Sequence, residues 1–289
     1  MTLQAIRKFH DIEEKDIELL SDLEKASTRY EWIPEDRLPQ LSDMPKQDIE
    51  YRLDRLNKFE LVEGGTVKYR GYRILPPGFD VLALYSLVER DVLEAFGISM
   101  GIGKEADIFD GLTPDNERVA IKFNRLGMSF TRLKEKRPYK PKHGWIDASK
   151  KAARREFEVL KKIYPKLEVP KPIAFDRHIL VMGFIEGEEL SEVAEIDLPE
   201  PVLDEILRNV KESYRSGIIH GDLSEHNVII KPNGEVLIID WPQWEPVTHP
   251  EADDLLKRDV RNVLKFFERK FQIERDLDRV LKEIKSSKN

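Results

Sequence analysis

Cysteine is missing from all 289 residues. Without it the chain can form neither disulfides nor thiolate-held zinc or iron–sulfur centres. No apolar run approaches the ~20 residues that a membrane-spanning helix needs. The N-terminal MTLQAIRKFHDIEEKD is acidic where a signal peptide would be apolar, and nothing repeats internally. These absences predict a soluble intracellular protein, cytoplasmic in location. Positive charge is not in excess either: 48 Lys and Arg against 55 Asp and Glu leave a formal −7. That argues against a wholesale nucleic-acid coat but leaves room for local basic patches. Charge itself is abundant, at 36% of residues against about 25% in an average domain. Together with the missing cysteine, it leans toward a hot-living source. A 40% hydrophobic share can fill a real core.

Residues 1–80 read as helices followed by a hairpin, the order of a winged helix-turn-helix. In DIEYRLDRLNKFELV, Ile49, Leu53 and Leu56 share a helical face. ELVEGGTVKYRGYRIL then reads as two strands turning at Gly64-Gly65. Lys46, Arg52, Arg55 and Lys58 on the helix, with Lys68, Arg70 and Arg73 on the ribbon, are candidate phosphate contacts. Asp48, Glu50, Asp54, Glu60 and Glu63 are interleaved with them, as on an ordinary solvated face. Residues 81–96 are expected to form a linking helix, and residues 97–289 a second domain.

In that second domain AFGISMGIGKEADIFDG and ERVAIKF are strand-like. DASKKAARREFEVLKKIY is helical, with Ala153, Phe157, Leu160 and Tyr164 along one side. A strand, HILVMGFIEG, precedes the helix LPEPVLDEILRNVKESYRSG, which Gly217 closes. NVIIK pairs across Asn233-Gly234 with EVLIIDW, and DDLLKRDVRNVLKFFERKF is a last amphipathic helix. The insertion 124–146 has no sustained period and is rich in Lys, Arg and Pro. Such a stretch is functional or a surface loop.

The chemistry concentrates in IIHGDLSEHNVII, residues 218–230. The spacing of Asp222 and Asn227 lets one carboxylate face a nucleophile while the amide oxygen binds a metal. Asp240 ends the return strand of the same hairpin, beside Asn227. One group to orient the acceptor and two oxygen ligands for a divalent ion on nucleotide phosphates are what phosphoryl transfer needs. A lone Asp-Asn pair would more often cap a loop; three such groups on one hairpin favour chemistry. Upstream, GIGKEADI carries Gly101 and Gly103 at a strand turn. It is not a Walker A loop, because Ile98 and Glu105 stand where that pattern needs Gly and Ser or Thr. Nineteen residues beyond Gly103, the strand VAIK gives Lys122 an apolar frame that could aim it at phosphates.

Gly-x-Gly, VAIK, HGDLSEHN and IDW follow the order of the protein-kinase fold's phosphate loop, strand lysine, catalytic loop and metal aspartate. With GIGKEADIF and IDWPQ, the chain resembles the RIO-type atypical serine/threonine protein kinases, second subfamily, over essentially its whole length. That resemblance implies an α+β fold: a winged helix followed by a truncated two-lobed kinase-like domain, with lobes at about 97–182 and 186–289. It makes Asp222 the catalytic aspartate, Asn227 and Asp240 the metal ligands, and Lys122 the phosphate lysine with Glu156 as helix partner. Glu158 is two positions round the helix and points away. ATP would lie against Gly101, Ile102, Gly103, Lys104 and Glu105, with Met182 behind the adenine and Gly183, Phe184 and Ile185 as the hinge. Ser129 and Thr131 are candidate autophosphorylation sites. The resemblance also implies Mg2+ or Mn2+, and a role on the precursor of the small ribosomal subunit, its rRNA and its proteins.

Three departures from ordinary kinases stand out. Gly221 replaces the arginine that pairs with a phosphorylated activation loop, so control by such phosphorylation is not expected. Asp240-Trp241-Pro242 replaces Asp-Phe-Gly, and proline restrains that segment. Only 49 residues follow Asp240, leaving no room for a peptide-binding platform. The acceptor is therefore open: Ser, an aspartate such as Asp240, water or a partner protein. A small-molecule kinase of the aminoglycoside or choline type shares His-Gly-Asp-Leu and Ile-Asp-Trp. Against it stand the winged helix, the basic insertion and the short tail. A binding-only module is disfavoured by the presence of Lys122, Asp222, Asn227 and Asp240 together.

Overall fold

The computed structural model describes residues 6, 8–102, 105–127 and 144–286. Gly103, Lys104, Ser129, Thr131 and most of the basic insertion lie outside the described residues. The chain divides into two compact units, Met1–Lys150 with Phe175–Leu180, and Lys151–Ala174 with Val181–Asn289. Among the described residues no helix is long and apolar enough to cross a membrane.

The first unit opens with helix α1 (Glu14–Ser27), started by a reciprocal capping pair between Glu13 and Asp16. Strand β1 (Ile33–Pro34), helices α2 (Leu38–Leu41) and α3 (Lys46–Lys58), and strands β2 (Val62–Thr66) and β3 (Arg70–Ile74) follow. The strands form a sheet of order β1-β3-β2. Ile49, Leu53 and Leu56 of α3 are buried, as their spacing predicts, in one core with Leu19, Leu20 and Leu23 of α1. This is the winged-helix arrangement expected.

Its hairpin turns elsewhere than predicted. Gly64 and Gly65 lie inside β2, paired with Tyr72 and Gly71. The chain reverses over residues 67–69, where Val67 N–H donates to the Tyr69 carbonyl at 3.1 Å. The glycines are needed for space: a Cβ on Gly65 would stand 2.6 Å from the Trp32 ring. Several of the candidate phosphate cations are also committed within the unit. Arg52 and Arg55 bind the fully buried Asp16 at 3.1 and 3.0 Å, tying α3 to α1. Arg73 pairs with Glu63 and stacks 4.7 Å from the Trp32 ring centroid, and Arg70 pairs with Glu35 at 3.0 Å.

The linking helix α4 runs from Pro76 to Glu89, not over 81–96. Pro76 and Pro77 pre-set the backbone of its first turn, and Ala95 already belongs to strand β4 (Ala95–Ile102). Strands β5 (Ala106–Leu112) and β6 (Arg118–Asn124) complete an antiparallel meander with it. Beneath them lies a buried ionic cluster. Arg125 donates to both oxygens of Asp80 in α4 at 2.7 Å and to Asp107 in β5 at 3.2 Å. His178 Nε2 lies 2.8 Å from Asp80. Burial alone would raise the Asp80 pKa, but Arg125 and His178 hold it below the usual carboxylate value. His178 Nδ1 is buried with no hydrogen-bond partner among the described residues.

Helix α5 (Trp145–Ile163) leads into the second unit. Trp145, Ser149, Ala152, Ala153, Glu156, Val159, Leu160 and Ile163 are its buried residues. The predicted face of Ala153, Phe157, Leu160 and Tyr164 is thus rotated: Phe157 is half-buried, and Tyr164 lies past the helix end and is exposed. Strands β7 (Pro172–Asp176) and β8 (Ile179–Gly183) belong to the five-stranded sheet of order β4-β5-β6-β8-β7. After β9 (Glu188–Glu189) comes α6 (Pro199–Arg215), which ends as predicted at Gly217, with φ +81°. Short strands β10 (Ile218–Ile219), β11 (Val228–Ile230), β12 (Val236–Ile238) and β13 (Glu245–Pro246) carry the loops of interest. Helices α7 (Ala252–Phe271) and α8 (Leu277–Lys285) follow. Strands β11 and β12 pair across Asn233-Gly234, as predicted.

Candidate active site

In the first unit the strand register sets the glycine turn level with the lysine. Gly101 pairs with Ile108, and Ile108 pairs in turn with Lys122. Lys122 is 6% exposed and flanked by Ile121 and Phe123, both fully buried. The carbonyl of Glu105 accepts from Arg125 N–H at 2.6 Å, so the end of the turn is fixed to the end of β6.

In the second unit the loop after β10 presents His220, Gly221 and Asp222. Gly221 has φ +82°, and a Cβ there would meet the Gln243 carbonyl at 2.4 Å. An arginine in its place is therefore sterically impossible as well as absent. His220 braces the loop: its Nε2 lies 3.0 Å from the Ile239 carbonyl, its Nδ1 accepts from Asp222 N–H at 3.3 Å, and its ring packs 4.5 Å from Trp241. One neutral tautomer, protonated on Nε2, satisfies both bonds. Trp241 is fully buried, so it packs and shapes the floor.

Asn227 is buried, and its Oδ1 accepts from Ser224 Oγ at 3.0 Å. Its own carbonyl accepts from Ile239 N–H at 2.9 Å, which sets Asp240 beside it. Asp240 has φ +66°, the left-handed region that non-glycine residues rarely occupy. Asp222 opens to solvent. Partial desolvation raises its pKa, Arg258 pulls it back, and the carboxylate of Asp240 pushes it up further, with a net rise. The two aspartates therefore feel each other, as carboxylates flanking one reaction centre would.

Glu156 and Glu158 have the sidedness that the spacing predicts. Glu156 is 1% exposed and accepts from Trp241 N–H at 3.3 Å, whereas Glu158 is exposed and pairs with Arg154. Met182 is buried at the end of β8. Gly183 N–H donates to the Lys171 carbonyl at 2.8 Å, and Phe184 and Ile185 are half-buried beyond it.

Helix α7 supplies residues that the motifs did not indicate. Asp259 accepts from Gly221 N–H at 2.8 Å and from Leu223 N–H at 3.0 Å, one bond to each oxygen. Arg258 donates to the Gly221 carbonyl, and Asn262 to the Leu223 carbonyl at 3.1 Å. Burial pushes the Asp259 pKa up to about 6. The available signal was an Asp on the apolar face between Leu256 and Val263, where charge needs a partner.

Asn227 and Asp240 offer hard oxygen donors, the set that suits Mg2+. Among the described residues no group of three or more His, Cys, Asp or Glu could hold a metal unaided. An ion at this hairpin would take its remaining ligands from phosphate oxygens and water, as Mg2+ sites on nucleotides do.

A family model described as the RIO domain matches residues 107–280, and one described as Rio2, N-terminal, matches residues 9–90. The RIO-type serine/threonine-protein kinase Rio2 of Methanocaldococcus jannaschii is 40% identical over 260 residues, which is 87% of this chain and 95% of the relative. The serine/threonine-protein kinase RIO2 of Caenorhabditis elegans is 34% identical over 262 residues, covering 89% of this chain but 50% of that longer protein. Among solved structures, the Rio2 kinase–ADP/Mg2+–phosphoaspartate complex of Chaetomium thermophilum matches with a TM-score of 0.85 at 27% identity. That match covers 96% of this chain and 88% of the other.

Proposed function

This chain belongs to the RIO family of atypical serine/threonine protein kinases, in its Rio2 subfamily, and from that premise we propose that it transfers the γ-phosphoryl group of ATP at the Asp222–Asn227–Asp240 hairpin. The observation that carries this reading is the backbone bond from Ile239 to Asn227, which sets Asp240 beside the buried amide while Asp222 stands within electrostatic reach of Asp240. Asn227 Oδ1 and an Asp240 oxygen would hold Mg2+. The bound ion would neutralise charge developing on the phosphates. Lys122 would meet the α and β phosphates, with Glu156 as its partner, and the backbone of residues 183–185 would bind adenine. Gly101 to Glu105 would cover the phosphates.

Asp222 orients the acceptor, and where that acceptor is water it takes the proton. We assign the acceptor to Asp240 and then to water, so that the protein acts as an ATP-driven switch as well as a kinase that phosphorylates itself. An Asp240 oxygen would attack the γ-phosphorus as ADP departs, and water would then cleave the acyl phosphate to inorganic phosphate. The phosphoaspartate in the Chaetomium thermophilum Rio2 complex supports this route. In the cell the switch would work in the cytoplasm on the precursor of the small ribosomal subunit, with the winged helix of residues 1–80 against rRNA. Lys58 and Lys68 are better placed for that contact than Arg52 and Arg55, which Asp16 holds.

The test follows the γ-label of ATP with and without purified precursor particles. Free phosphate as the main product, with a minor hydroxylamine-labile phosphoenzyme, supports the switch. Label found only as acid-stable phosphoserine contradicts it and leaves a protein kinase alone.

A further inference from the structure

Arg155 stands one position before Glu156 on α5 and has no task in the chemistry assigned above. The polar contacts of its guanidinium all fall on one segment. Nε donates to the Pro242 carbonyl at 3.1 Å, and Nη2 donates to the Trp244 carbonyl and to the Glu245 carboxylate, the latter at 3.1 Å. The guanidinium also lies 5.2 Å from the Trp244 ring centroid, and Trp244 Nε1 donates back to the Arg155 carbonyl at 3.1 Å. Glu156 takes the N–H of Trp241. Residues 241–245 therefore form a strap hung from a single turn of α5.

That strap touches both sides of the reaction centre within the second unit. At its N-terminal end it continues directly from Asp240. Along its length, the Gln243 carbonyl fills the place of a Gly221 side chain, and Glu245 pairs with Ile219, the residue before His220. The loop presenting Asp222 is thus backed by the same segment that carries Asp240. A guanidinium can serve two carbonyls, a carboxylate and an aromatic face together, because its donors are fixed in one plane. A lysine ammonium cannot.

We propose that Arg155 is a positioning residue for phosphoryl transfer, fixing the strap so that Asp240 and Asp222 keep their mutual geometry. Many kinases obtain such order by phosphorylating a loop that then pairs with arginine. Here the unmodified chain supplies it. The inference rests on the roles given to Asp240 and Asp222 above, and its test separates the two.

ATP turnover by the full chain is measured against free Mg2+ for the wild type, R155A, R155K, E245Q and D240N, with thermal melts as a check on folding. R155A is expected to lower kcat roughly 10–100-fold and to raise the Mg2+ needed for half-maximal rate by about tenfold, the range seen when groups that orient metal ligands are removed. R155K should recover part of both losses, and E245Q should show a smaller loss in the same direction. A folded R155A with wild-type turnover and Mg2+ dependence overturns the proposal, as does full recovery in R155K. Should R155A fail to fold, wild-type Mg2+ dependence in both R155K and E245Q overturns it instead. If D240N leaves the Mg2+ dependence unchanged, the metal assignment itself is wrong. If D240N abolishes turnover and the Arg155 variants keep wild-type turnover and Mg2+ dependence, only the positioning role falls.

Discussion

Asp259 shows at the scale of a residue how a buried carboxylate can both build a site and weaken the fold. Its two oxygens hold Gly221 and Leu223, yet burial lifts its pKa from 3.8 to about 6. Between those values the folded protein binds more protons than the unfolded chain, so stability falls as pH rises from about 4 to about 6. The raised pKa of Asp222 adds to the same slope. D259N should flatten its share of that slope. It should also cost roughly 1–3 kcal/mol, because one amide oxygen cannot replace two acceptors and a buried N–H is orphaned. Melting temperatures of wild type and D259N across this range check both effects; parallel profiles would contradict the assignment. Asp222, Asn227 and Asp240 were legible in the sequence because local spacing along a hairpin determines how they meet. Asp259 and Arg155 were not, because their partners lie at distant positions and become neighbours only through packing.

Elements were legible where periodicity alone decides them, as in α3, α6 and the β11–β12 hairpin. They were misread where packing overrides local preference. Gly64-Gly65 has the composition of a turn but lies in a strand, because the Trp32 and Tyr72 rings press against it. Helix α4 starts early because its prolines favour a first turn, and its first residues, Pro76 to Leu84, are all buried. That burial brings Asp80 onto Arg125, joining the linking helix to the end of the strand that carries Lys122. Removing one partner from a buried ion pair leaves the other charge uncompensated, so D80A should destabilise the first unit by about 3–5 kcal/mol. Denaturant unfolding of D80A measures this, and a loss below about 1 kcal/mol, the size of a surface pair, would contradict it.

At the scale of the whole molecule, the order that phosphorylation gives other kinases is written here into unmodified residues. Residues 241–251 alone separate Asp240 from α7, and Arg155 and Glu156 hold the first of them. Phosphatase-treated protein should therefore retain its ATP turnover within about twofold, whereas an enzyme ordered by a loop phosphate would lose the contacts that such a group makes. A large drop on treatment would point to a modification that the fold requires. The motif order made the kinase-like chemistry legible across the chain. The acceptor was not legible, because that choice depends on how substrate and aspartates meet in three dimensions.

The central claim is that the 218–240 hairpin moves the γ-phosphoryl group. Single-turnover release of γ-label from ATP by wild type and D222A, with nucleotide binding measured in parallel, tests it most directly. D222A should bind ATP within about threefold of wild type while transfer through to free phosphate slows about 10²–10⁴-fold, the usual loss on removing a positioned general base. Transfer by D222A at the wild-type rate would contradict the claim and place the chemistry elsewhere.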